Sequence, residues 1–88
     1  DETTINLEEV AVDNLPDGYL YKTLVDLDLR RQTGCTAIGY KQPDGKYIIN
    51  PDASVQLLPN SKLMVLGQPE QIKKLNTLFQ IAESTFNG

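Results

Sequence analysis

The longest unbroken apolar run in this chain is only four residues, Leu-Met-Val-Leu at 63–66, held between Lys62 and Gly67. A membrane-spanning helix takes roughly 20 apolar residues, so a run this short is strand-sized. Four consecutive apolar side chains leave no polar face, which predicts a central strand covered on both sides. The rest of the sequence supplies material for one small core around it. With 88 residues, 40% of them hydrophobic, the chain is read as one domain over 1–88. Its first residues have no initiating Met and no cationic, apolar secretory signal. They read as the start of a domain excised from a longer protein.

Other elements follow from periodicity and punctuation. Ile5, Leu7, Val10 and Val12 mark a first strand, and their parity switches across Glu8 and Glu9, as at a bulge or where the strand leaves the sheet. Pro16 and Gly18 mark a turn. Thr23 and Asp26 fit a helix start, the hydroxyl capping the first turn and the carboxylate lying where the helix dipole favours it. Leu20, Leu24 and Leu27 would share one face of that helix, which Gly34 ends just after Arg30 and Arg31. Residues 35–41 alternate, with Cys35, Ala37 and Gly39 on one side and Thr36, Ile38 and Tyr40 on the other. Pro43, Asp44 and Gly45 then turn the chain into a second arm at 46–49. Asn50 and Pro51 end that arm, and residues up to Asn60 read as a crossing loop or a single helical turn. Pro69 fits the first position of a last helix whose buried face carries Ile72, Leu75, Phe79 and Ala82. The expected fold is α+β: a small mixed sheet of about four strands, in the order strand, helix, strand, strand, strand, helix.

Charge narrows the function classes. The net charge is −4, but residues 1–28 carry eight acids and one base while the remainder carries four acids and seven bases. An acidic chain with pI near 4.5 argues against general nucleic-acid binding. The basic part still leaves room for a local cationic pocket, with Arg30 the residue hardest to explain as scaffold, because it can hold an anion by bidentate hydrogen bonds. Pairing with Asp26 or Asp28 is the alternative. There is no His and only one Cys, so nitrogen and sulfur metal sets and His-based acid–base chemistry are excluded within one chain. Asp26 and Asp28, two apart on a helix, would not converge as an acid and base pair. An enzyme is not expected. Nor is direct membrane insertion. The apolar side chains of Tyr19, Leu20, Tyr21, Leu29 and Ile38 are more than a small monomer readily covers, and a homodimer would bury them.

The ordered motifs KTLVDLDLR at 22–30, Thr33-Gly34, IINP at 48–51 and KLMVLG at 62–67 resemble the C-terminal subdomain of the regulators of potassium conductance, the TrkA-C family. The resemblance runs from about Glu9 to Leu75. Where this chain has Asn60-Ser61, the family usually has Gly-Asp; Asn accepts a positive φ, so the turn is expected to survive.

The resemblance implies a dimeric ligand-sensing module on the cytoplasmic face of a membrane. There it would follow a Rossmann-type domain and regulate the transmembrane pore of a potassium channel or transporter. The chain contains no G-x-G-x-x-G, so no NAD or ATP site of that type is credited to it. In family members that bind cyclic di-AMP, the nucleotide lies across the dimer interface. Carried over by position, the ligand-binding candidates are Leu24, Asp28, Leu29, Arg30, Thr36 and Pro51, for cyclic di-AMP or another anionic nucleotide. That group usually has Asn where Thr36 stands and a His near the hairpin, which this chain lacks. The alternative is a constitutive dimerisation and coupling domain of a cation/proton antiporter or an anion permease, with no ligand of its own.

Overall fold

The computed structural model describes residues 4–79. Strand β1 (Asn6–Ala11) leads through a 3-10 turn into an irregular stretch, then two short helices, α1 (Leu24–Leu27) and α2 (Leu29–Thr33). A hairpin of β2 (Thr36–Lys41) and β3 (Tyr47–Ile49) follows, then a long loop, β4 (Lys62–Gly67) and α3 (Pro69–Leu78). The sheet order is β1-β4-β2-β3. The last strand in sequence therefore lies between the first two, separating β1 from the hairpin.

Every pairing is antiparallel, which corrects the expected mixed sheet. Strands β1 and β2 do run parallel to each other, as a strand–helix–strand unit dictates, but β4 occupies the slot between them and opposes both. The order of elements is otherwise as the sequence predicts.

One face of the sheet makes the core. Val10, Leu63, Tyr40 and Ile48 form a single cross-strand row, which packs with Leu27, Leu29, Ile72, Leu75 and Phe79. Burying these side chains contributes about 1.5–3 kcal/mol each. The opposite face carries no helix among the described residues. Strand β4 alternates there, with Leu63 and Val65 fully buried and Met64 and Leu66 half-buried, so it is central but not covered on both sides. Its neighbour β1 keeps continuous register; the parity switch at Glu8 and Glu9 is not a bulge. Ile5 and Leu7 are simply exposed.

Two local features depart from simple periodicity. The helix predicted from Thr23 to Gly34 breaks at Asp28, which is left-handed at φ 53°. On a continuous helix Leu27 and Leu29 would point about 200° apart; the break lets both enter the core, at 0% and 6% exposure. Leu20 lies in the turn before α1 and is exposed, so it shares no helical face with Leu24 and Leu27. In β2, Ala37 pairs with Val65 and Gly39 with Met64, leaving Ile38 as the extra residue of a bulge. Tyr40 therefore faces inward with Ala37, against the expected alternation, and Leu29, counted as exposed, is buried. In the last helix Ile72, Leu75 and Phe79 are buried as predicted, while Ala82 lies outside the described residues.

A candidate anion pocket at the helix break

The pocket is built from the break outward. Thr23 caps α1 through a full capping box: its hydroxyl accepts from the Asp26 amide, and the Asp26 carboxylate accepts from the Thr23 amide at 3.0 Å. The Asp26 carboxyl is held below its ordinary value, first by that backbone hydrogen bond and then by the Thr23 hydroxyl. The first turn is also stitched to the loop after β3, since the Leu24 amide donates to Val55 and the Val25 amide to Ala53. Thr23 pairs with Gln56 in an isolated bridge. These bonds fix Pro51 and Ala53 beside α1.

At the other end, Gly34 closes α2 in the left-handed region at φ 83°, its amide donating to Arg30. The chain then enters β2 at once, which sets Thr36 next to Arg30. The Arg30 Nη2 donates to the Thr36 hydroxyl at 3.4 Å. Asp28 is paired with Arg31 instead, so Asp26 and Asp28 turn to different partners.

Between these elements lies an open cavity of about 530 Å³, within the size range of small-molecule sites. All six residues carried over by position, Leu24, Asp28, Leu29, Arg30, Thr36 and Pro51, line it. Position-matching missed Val25, Cys35, Ala37 and Ala53. Each is a sequence neighbour, within two positions, of a named candidate, and that adjacency was the available signal. Arg30 is the only cation of the lining and Asp28 the only acid. With the Asp28 carboxylate held by Arg31, the cavity presents a guanidinium and a hydroxyl in a mostly apolar wall. Such an arrangement takes an anion joined to a flat or apolar body. Among the described residues no three His, Cys, Asp or Glu converge as a metal set, and no helix is long and apolar enough to cross a membrane.

The fold is that of a small α+β domain with one open, mostly apolar cavity at its helix break. More specifically, the TrkA-C domain model matches residues 7–80, and the chain belongs to that family. Comparison with curated proteins gave no match. Among solved structures, the RCK_C domain dimer of S. agalactiae BusR in complex with c-di-AMP is 22% identical, with a TM-score of 0.73 over 88% of this chain and 93% of that one. The RCK C domain of the potassium transport protein KtrA in complex with cyclic diadenosine monophosphate is 20% identical, with a TM-score of 0.70 over 83% and 81%. The GsuK channel bound to NAD is 24% identical, with a TM-score of 0.73 over 89% of this chain and 14% of that one. The chain spans about a third of the longer BusR chain, at 36%, in the complex of that protein with its promotor DNA. At these identities the likeness establishes the fold.

Proposed function

We propose that the chain is a ligand-sensing and dimerisation domain of a potassium channel or potassium transporter, working on the cytoplasmic face of the membrane. Its ligand is an anionic nucleotide, cyclic di-AMP foremost, held in the pocket at the helix break. The observation that carries this reading is the convergence of the six candidate residues, with Arg30 as the sole cation, on one open cavity. The nucleotide complexes of BusR and KtrA, whose domains share the fold, support it.

The cavity is open on one side, and Leu7, Val25, Tyr47 and Ile49 are exposed on this chain. A second copy packed by two-fold symmetry would cover apolar surface and close the pocket. Ligand binding then biases the parent's gate by as much as the ligand prefers one arrangement of the two copies over another. On this reading residues 1–88 form a single regulatory domain, and the pore and any dinucleotide-binding domain belong to the parent protein.

Calorimetry with cyclic di-AMP tests the reading, alongside sedimentation of the free chain. Saturable binding by a dimer, lost in Arg30→Ala while the melting temperature is retained, is the expected result. A dimer that binds no anionic nucleotide would instead assign the domain to constitutive dimerisation, and a monomer at high micromolar concentration would remove the interface.

A further inference from the structure

We infer that α1 and the loop at 51–57 form one hinged wall of the cavity, which opens and closes as a single unit about left-handed residues at its ends. This concerns the fold around the cavity and holds whichever ligand the cavity receives.

The backbone marks the ends of the wall. Among the described residues, four other than glycine have positive φ: Tyr21 at 70°, Asp28 at 53°, Asn50 at 51° and Asn60 at 64°. Tyr21 and Asp28 bracket α1, and Asn50 and Asn60 bracket the loop between β3 and β4. Asn and Asp tolerate this geometry, but a bulky residue such as Tyr keeps it only where surrounding bonds impose it. Those bonds come from the loop: the Tyr21 amide donates to the Leu57 carbonyl at 2.6 Å, and the Tyr21 carbonyl accepts from Nε2 of Gln56 at 3.0 Å. Single residues at the ends of elements are where a hinge absorbs a change in φ and ψ.

Between these pivots the two segments are bonded to each other. The amides of Leu24 and Val25 donate to Val55 and Ala53, the Leu57 amide donates to Lys22 at 2.7 Å, and Thr23 bridges Gln56. Together they carry Leu24, Val25, Pro51 and Ala53 of the cavity lining, whereas the facing residues, from Leu29 to Ala37, ride on α2 and the start of β2. Among the described residues no hydrogen bond crosses the cavity from 22–26 or 51–55 to α2 or β2. The base of the wall is rooted: Leu27 and Leu57 are fully buried, and the Tyr40 hydroxyl reaches from β2 to Gln56 and Leu58. Its rim is free, since Val25 and Ala53 are exposed. A segment tied within itself and exposed at its rim opens locally, at less cost than the sheet behind it. The bonds lie within one chain, so they hold whether or not a second copy covers the cavity. A ligand that touches either segment therefore orders both.

The test is native-state hydrogen exchange of the 88-residue chain in low urea, for the native protein, Thr23→Ala and Tyr40→Phe. The reporter amides are internal to each segment: Leu27 and Asp28 donate to Thr23 and Leu24 within the α1 segment, and Val55 donates to Asp52 within the loop. In the native protein the three should share one opening equilibrium, more frequent than that of the β2–β4 ladder. Thr23→Ala removes only the cap of α1, yet it should speed Val55 by the same factor as Leu27, about 2- to 30-fold, the range expected for loss of such a cap. Tyr40→Phe releases only the loop, yet it should speed Leu27 and Asp28 as much as Val55. A response confined to the segment nearest the substitution overturns the inference. So do reporter amides that exchange no faster than the ladder in the native protein, or that show no protection at all.

Discussion

The Sγ of Cys35 occupies the space that a side chain on Gly67 would need: a Cβ built there lies 2.7 Å from that sulfur and 3.2 Å from Cδ1 of Ile72. Cys35 is buried and lines the pocket, so the end of β4 packs directly behind the site. Gly67→Ala should destabilise the domain by about 1–3 kcal/mol, the usual cost of overpacking. Adding Cys35→Ala should recover part of that loss by vacating the same volume. Urea denaturation of the two single variants and the double variant measures the coupling; strict additivity would mean that the two residues do not compete for space.

The capping box makes stability depend on pH. The folded-state carboxyl of Asp26 is more acidic than in the unfolded chain, because the Thr23 amide and hydroxyl stabilise the carboxylate. Its contribution is therefore fully present above the ordinary carboxylate range and is lost as pH falls through the lowered folded-state value. Asp26→Asn should flatten that part of the stability profile, and Thr23→Ala should cost about 0.5–2 kcal/mol near neutral pH. Thermal melts from pH 7 down to 3 check both. An unchanged acid limb in Asp26→Asn would place the titration in another group.

Local chemistry wrote several of these features plainly into the sequence. Thr23 and Asp26 announced their cap, Pro43 to Gly45 the hairpin, Gly34 the end of the helical segment and Pro69 the start of α3. The tolerance of Asn60 for positive φ was also legible, and the residue adopts φ 64°. What stayed hidden depends on partners distant in sequence. The break at Asp28 exists because Leu27 and Leu29 must both reach one core, and a helical reading of Leu24 and Leu27 gives no warning of it. The bulge at Ile38 becomes visible only once β4 fixes which residues of β2 it opposes. The open outer face was misread for a related reason: a run of four apolar residues shows that a strand is apolar on both sides, not that its own chain covers both. In the pocket, the motif around Arg30 located the center, whereas Ala53 enters through the hydrogen bond from Val25 to the loop.

Tyr40 links the sheet to that loop. Its ring is 2% exposed, and its hydroxyl donates to the Gln56 carbonyl at 2.9 Å and accepts from the Leu58 amide at 3.1 Å. Tyr40→Phe keeps the ring but leaves both partners without it, and should cost about 1–3 kcal/mol. Hydrogen exchange should locate the effect: faster exchange of the Leu58 amide, with the β2–β4 ladder still protected, is expected. Uniform loss of protection would show that the hydroxyl stabilises the whole domain rather than this loop.

Asp28 separates backbone conformation from charge at the site. Its left-handed geometry, φ 53° and ψ 49°, ends α1 and starts α2, while its carboxylate pairs with Arg31, whose side chain is 80% exposed. An exposed ion pair is worth about 0–1 kcal/mol, whereas holding a residue with a Cβ in left-handed geometry costs roughly 1–2 kcal/mol, a penalty glycine escapes. Asp28→Gly should therefore be near neutral in stability, and Asp28→Val should be destabilised by roughly 1–2 kcal/mol or more, because a β-branched residue resists that geometry most. Both variants remove the carboxylate, so urea denaturation of the pair isolates the backbone term. If the break is what presents Arg30 to the cavity, Asp28→Gly should also retain binding of an anionic nucleotide. Equal destabilisation by Gly and Val would instead make the pairing with Arg31, and not the turn, the reason Asp stands here.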